Sequence, residues 1–182
     1  MANLNIDIIK EQENARAEIK KQGFRVLVCA GTGCVANGSL QIIEKFKELG
    51  ADVSVMSDYD KVTIVPTGCH GFCEQGVLVV FPELDLTYVK VRLDDVEEIY
   101  EALKNHQVVE RLLYTDPHTN EKVRKNEDIN FYAKQTRTAL ANCGEMNAEN
   151  IDEAIALRAY EALSKVLTQG NPDAVIDEII KS

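Results

Sequence analysis

The chain has 182 residues, 45% of them apolar, enough for one moderate domain and a smaller appendage. No apolar stretch approaches the ~18 residues that a membrane-spanning helix needs. A formal net charge of −10 argues against nucleic acid as a partner, because phosphate recognition rests on neutralising Lys and Arg.

Residues 4–21 place Ile8, Ile9, Ala15 and Ile19 partly on one stripe, which predicts an amphipathic helix stopped by Gly23. A strand follows at 24–28, where Arg25-Val-Leu-Val28 runs into the loop Cys29-Ala-Gly-Thr-Gly-Cys34. Asn37-Gly-Ser39 then caps a helix through Leu49, ended by Gly50, with Leu40, Ile43, Phe46 and Leu49 at helical spacing. Strands are predicted at 52–56 and 62–65, joined by the polar turn Ser57-Asp-Tyr-Asp60. A second cysteine loop, Cys69-His-Gly-Phe-Cys73, follows Val62-Thr-Ile-Val-Pro-Thr67. The apolar run Val77-Leu-Val-Val-Phe81, the turn Pro82-Glu-Leu-Asp85 and residues 87–91 predict an antiparallel hairpin. Asp94-Asp-Val-Glu97 resembles a capping box opening a helix that buries Val96, Ile99, Tyr100 and Leu103.

A boundary is predicted near Asn105-His-Gln107, dividing the chain into 1–106 and 107–182. Residues 110–126 are polar and turn-rich; helices are expected after them, at 129–140 and from Asn147 to Leu167. The second would align Ile151, Ile155, Ala159, Leu163 and Val166. A last helix, 172–181, has Pro172 at its first position, where a missing N–H is harmless.

The four cysteines Cys29, Cys34, Cys69 and Cys73 carry the chemistry. Strands that end in Gly-rich, thiol-bearing loops offer sulfur and backbone N–H groups to one small volume. Four thiolates for two irons, with N–H groups tuning the charge on sulfur, is what a [2Fe–2S] cluster requires. Structural zinc also takes four cysteines, on knuckles spaced C-x2-C to C-x4-C, and stays open as a non-redox assembly module. The x4 and x3 loops at the ends of apolar strands suit the bulkier cluster better. Disulfides need an oxidising compartment, whereas Met1-Ala-Asn-Leu-Asn-Ile6 shows no signal peptide, so a cytoplasmic, reducing location is expected. A thiol–disulfide oxidoreductase remains a further alternative, although no C-x-x-C occurs.

Other residues invite lesser readings. Cys143, in Asn-Cys-Gly, reads as a buried or half-buried structural thiol. His70 lies between two cysteines, where a Rieske-type ligand is conceivable; a solvent-facing neighbour of the site is expected instead. His106 and His118 carry no partner motif. Gly31, Gly33, Gly68, Gly71 and Gly76 are expected to serve the backbone around a cofactor, not a nucleotide fingerprint.

Cys-x4-Cys followed by Gly-Cys-x-Gly-x-Cys-x-x-Gly resembles the thioredoxin-like [2Fe–2S] ferredoxins. That family includes the small subunit of complex I. It also includes the N-terminal domain of flavin-containing beta subunits of bacterial NAD(P)-linked hydrogenases and formate dehydrogenases. The resemblance implies Cys29, Cys34, Cys69 and Cys73 as the cluster ligands, serving as both metal and cofactor-binding residues. It also implies an α/β thioredoxin-like fold: an N-terminal helix, βαβ, then ββα, followed by a mainly helical segment. One departure is Val77, where many relatives have proline. Asp128-Ile-Asn-Phe-Tyr-Ala-Lys-Gln135, Asn142-Cys-Gly144 and Arg158-Ala-Tyr-Glu-Ala-Leu163 are similar to the opening of the flavin-binding subunit of NADH dehydrogenases. Together these imply one-electron transfer at the front of an NAD(P)H-oxidising flavoprotein subunit. FMN, NAD(P) and further iron–sulfur clusters are expected only in the full-length parent. Its partners would be other iron–sulfur and flavin subunits of a redox complex, with ferredoxin as an exchange partner. The chain by itself, with no catalytic residue, is expected to carry electrons without binding flavin.

Overall fold

The computed structural model describes residues 8–21, 23–50 and 61–182. Two compact units emerge: Gln22–Ala148, and Met1–Lys21 together with Glu149–Ser182.

The larger unit is built on a four-stranded sheet. Strand β1 (Phe24–Cys29) pairs in parallel with β2 (Val62–Thr67), in register from Phe24↔Val62 to Cys29↔Thr67. On its other side β1 pairs antiparallel with β3 (Val79–Phe81), which pairs with β4 (Leu86–Tyr88), giving the order β2-β1-β3-β4. β1 is an almost unbroken apolar run, and all its residues but Arg25 are buried, as expected of a strand flanked on both sides. The crossover from β1 to β2 passes through α2 (Thr32–Ala36) and α3 (Ser39–Gly50), the latter burying Ile42, Ile43 and Phe46. Helix α4 (Asp95–Lys104) follows the hairpin and buries Val96, Ile99, Tyr100 and Leu103, the face its spacing predicts. The described elements thus follow the thioredoxin-like order βαβ-ββα. The predicted strand at 52–56 lies outside the described residues.

Three departures have local causes. α2 forms inside the first cysteine loop, where the Gly content masks a helical turn. β4 stops at Tyr88 because Lys90 takes a positive φ of 53° and the chain turns back onto the second cysteine loop. There Lys90 N donates to Gln75 O and Val91 N to Val77 O. The helix expected at 129–140 is reduced to α5 (Asn130–Ala133), whose Phe131 packs on Phe72.

The larger unit also runs beyond the predicted division at 106. Tyr88 Oη accepts from Val109 N at 2.8 Å, Val89 N donates to Leu112 O, and Thr87 N donates to Arg124 O. A short hairpin, β5 (Tyr114–Thr115) with β6 (Lys122–Val123), lies within this stretch, and Thr67 bridges to Asn147.

The smaller unit is helical: α1 (Ile8–Lys20), α6 (Ile151–Ala156), α7 (Glu161–Gln169) and α8 (Pro172–Lys181). α1 packs on α6, with Arg16 Nε donating to Ala156 O at 3.1 Å. The single helix expected from 147 to 167 is broken. Asn150 caps α6, its side chain accepting from Asp152 N and Glu153 N. Arg158 then adopts a φ of 75°; Ala159 N reaches Ala154 O and Arg158 N reaches Ile155 O. This is a Schellman termination, with Arg where glycine is usual.

Candidate functional site

Because β1 and β2 are parallel neighbours, their carboxyl ends lie side by side, and both cysteine loops leave from the same end of the sheet. Ala30 N donates to Thr67 O at 2.9 Å, and Cys29 N donates to Leu78 O at 3.0 Å, tying the loops together at their roots. The contact between loops is close enough to demand glycine. A Cβ on Gly31 would lie 2.7 Å from Cys69 Cβ and 3.2 Å from its Sγ; one on Gly76 would lie 2.8 Å from Cys34 Sγ. Any side chain there would enter the space the thiols share.

The loops bring all four predicted cysteines together. Cys69 and Cys73 Sγ are 3.8 Å apart and exposed, while Cys29 and Cys34 are buried. Gly71 N donates to Cys69 Sγ at 3.3 Å. Gly33 is within van der Waals range of Cys73, its would-be Cβ 3.7 Å from Sγ, whereas Gly68 has open space around it. Among the described residues, no three His, Cys, Asp or Glu side chains are gathered as they would be around a single metal ion.

The electrostatics follow from this crowding. The adjacent Cys34 thiol draws Cys29 down to about 6, against burial, with help from the backbone N–H groups of His70 and Gly31. Cys34 is pushed up strongly by the same contact with Cys29 and by burial; Cys73 is pushed up by its contact with Cys69. Each thiolate opposes the next, so only a cationic centre makes four simultaneous thiolates favourable. The donor set, the shared volume and the glycine cradle therefore fit an iron–sulfur cluster.

His70 corrects the expectation of a solvent-facing ring. It is 3% exposed, with Nε2 3.2 Å from Thr67 Oγ1. Burial and then the Arg137 charge hold it down to about 4, so the ring is neutral near pH 7. Gly144 backs onto the imidazole, leaving only 2.6 Å for a Cβ. Cys143 is half-buried and lines a cavity of about 430 Å³ together with His70, Tyr132 and Arg137.

Sequence reasoning missed the aromatic and cationic residues that surround the second loop. Phe72 stacks on Phe131 with centroids 4.4 Å apart and planes 8° apart, and meets Tyr132 at 5.5 Å. Arg137 lies over Tyr132, 5.1 Å from its ring centroid, and donates through Nη2 to the His70 carbonyl. The available signal was compositional: one Phe between two cysteines, and one Phe-Tyr pair in a polar stretch.

Among the described residues no helix is long and apolar enough to cross a membrane. The profile of the thioredoxin-like [2Fe–2S] ferredoxins matches residues 16–104. The chain is similar to a 2Fe-2S ferredoxin of Clostridium pasteurianum, 37% identical over 101 residues, covering 54% of this chain and 86% of that protein. It is also similar to the NADP-reducing hydrogenase subunit HndC of Solidesulfovibrio fructosivorans. That match is 51% identical over 49 residues, 27% of this chain and 10% of that subunit. Among solved structures, the thioredoxin-like [2Fe–2S] ferredoxin of Aquifex aeolicus matches at a TM-score of 0.45 and 30% identity, over 51% of this chain and 97% of that one. The chain belongs to the thioredoxin-like [2Fe–2S] ferredoxins, so its cofactor is a [2Fe–2S] cluster and its chemistry is ferredoxin-like electron transfer.

Proposed function

We propose that Cys29, Cys34, Cys69 and Cys73 ligate the cluster, and that the chain is the electron-carrying front of an NAD(P)H-oxidising flavoprotein subunit. The observation that carries the ligand assignment is the meeting of the two loops, with Gly31 against Cys69 and Gly76 against Cys34. The bound cluster supplies one reversible electron at low potential, on a scale of roughly −400 mV for plant-type centres. The protein's own part is to hold four thiolates without rearrangement and to direct the Gly71 N–H at Cys69 Sγ. The buried pair Cys29 and Cys34 anchors the site in the core, and the exposed pair faces exchange partners.

The likeness to HndC supports a place in a multisubunit redox complex of the hydrogenase, formate dehydrogenase or NADH dehydrogenase kind, even though it spans a tenth of that subunit. In this reading FMN, NAD(P) and further clusters reside in the parent subunit. Other iron–sulfur and flavin subunits, with ferredoxin, are its partners, in the cytoplasm.

The test is anaerobic reconstitution with iron and sulfide. Red-brown protein with two irons and two sulfides per chain, and a spin-half signal after dithionite reduction, is expected. Alanine, which offers no ligating atom, at any one of Cys29, Cys34, Cys69 or Cys73 should lose or severely destabilise the cluster, while Cys143→Ser keeps the spectrum. Zinc in place of iron, or an essential Cys143 with one of the four dispensable, would overturn the assignment.

A further inference from the structure

The His70–Gly71 peptide is engaged on both sides. Its N–H, belonging to Gly71, donates to Cys69 Sγ at 3.3 Å. Its C=O, belonging to His70, accepts from Arg137 Nη2. The guanidinium lies against this peptide: a Cβ on Gly71 would be 3.0 Å from Nη2. A hydrogen bond donated to a peptide oxygen withdraws electron density through the amide and makes its N–H a stronger donor. A full positive charge at the oxygen end does so most, since charge-assisted hydrogen bonds are the strong ones.

Arg137 is itself held in place. Its guanidinium stacks over Tyr132, and Tyr132 and Phe131 close on Phe72, the residue immediately before Cys73. Burial raises the Tyr132 hydroxyl against the opposing Arg137 charge, with smaller contributions from Cys29, Cys69 and Cys34, so the stack stands beside the site. All these partners except Phe72 come from residues 131–137, outside the ferredoxin match at 16–104.

We propose that Arg137 is a positioning residue for electron transfer, acting through the His70–Gly71 peptide to strengthen the Gly71 N–H bond to Cys69 sulfur and so raise the reduction potential. This rests on Cys69 being a cluster ligand. Reduction adds negative charge to the sulfurs, so a stronger donor and a nearby cation favour the reduced form.

The experiment uses the full chain carrying its cluster, with Arg137→Gln, Arg137→Met and Arg137→Lys beside the parent sequence. Iron and sulfide content is measured first, and then the midpoint potential by dye-mediated titration followed by electron paramagnetic resonance. In the neutral variants the reduced-to-oxidised ratio at a fixed poise should fall about tenfold, equivalent to ~59 mV for one electron. Arg137→Lys should stay within about threefold of the parent, because an ammonium restores the charge. The exchangeable-proton hyperfine coupling of the reduced cluster should weaken in the neutral variants and recover in Arg137→Lys. A neutral variant that holds its cluster at the parent potential overturns the proposal. So does an Arg137→Lys shift as large as that of the neutral pair. Failure of the ligand assignment looks different: a Cys69→Ala protein, with no ligating atom at that position, would then keep its cluster whatever Arg137 does.

Discussion

The imidazole of His70 is enclosed by Thr67 and Gly144, and burial together with Arg137 holds it down to about 4. The unfolded chain returns it to about 6.5, so between those values the unfolded state binds the proton and the folded state does not. Its contribution to stability is full above about pH 6.5 and is lost as the pH falls toward 4. Between about pH 7 and pH 5.5 the loss is about 1 kcal/mol. Unfolding free energies from urea titrations of parent and His70→Gln proteins should converge by that amount on acidification; parallel curves would mean the ring is not neutral in the fold. The contrast with the cysteines is physical. A thiol is visible by its type and by its distance along the chain from other thiols, so the meeting of Cys29, Cys34, Cys69 and Cys73 could be read directly. The surroundings of His70 are supplied by Arg137 and Gly144, which no local pattern connects to it. Arg137 was illegible for the same reason: nothing in Lys134-Gln-Thr-Arg137 marks a residue that reaches a carbonyl in another loop.

Helices α3 and α4 were legible because each has one apolar stripe and one sheet to cover, and the buried residues Ile43 and Phe46, then Val96, Ile99 and Leu103, keep the helical period. The stretch from Asn147 to Leu167 has the same period and still breaks, because period reports which face is apolar and not whether the backbone is continuous. The break depends on Arg158 taking a left-handed conformation that sequence rules reserve mainly for Gly and Asn. At the other end of α6 the start is Asn150 rather than Asn147, its side chain satisfying two otherwise unpaired N–H groups. Asn150→Ala should therefore cost about 1 kcal/mol, and Asn150→Asp should cost little. Thermal melts of the two variants check this. Equal loss in both would assign Asn150 some role other than capping.

At the level of the larger unit, the family match ends at 104 while the compact unit extends to Ala148. Residues 107–148 bury Val109, Leu112, Leu113, Tyr114 and Ile129 beside the sheet core. Returning any one of these side chains to water would cost about 1.5 to 3 kcal/mol, a large share of the ~5–15 kcal/mol net stability of a domain. A fragment of residues 22–148 should melt cooperatively, and one of 22–106 should not. Calorimetry on the two decides it, and a cooperative 22–106 fragment would show the added stretch to be dispensable. Sequence order places a division near 106, where composition changes, although the larger unit runs on to Ala148. It could not give the packing, since the hydrogen bonds from Val109 to Tyr88 and from Thr87 to Arg124 run between stretches that look unrelated. Those bonds have a consequence for how the molecule meets others. An outermost strand with free N–H and C=O groups is a template on which a second chain can polymerise. On β4 that template is occupied by Leu112, Leu113 and Arg124 of the same chain. An incoming strand would first have to strip them away, so along β4 association by strand addition is blocked and recognition there falls to side chains.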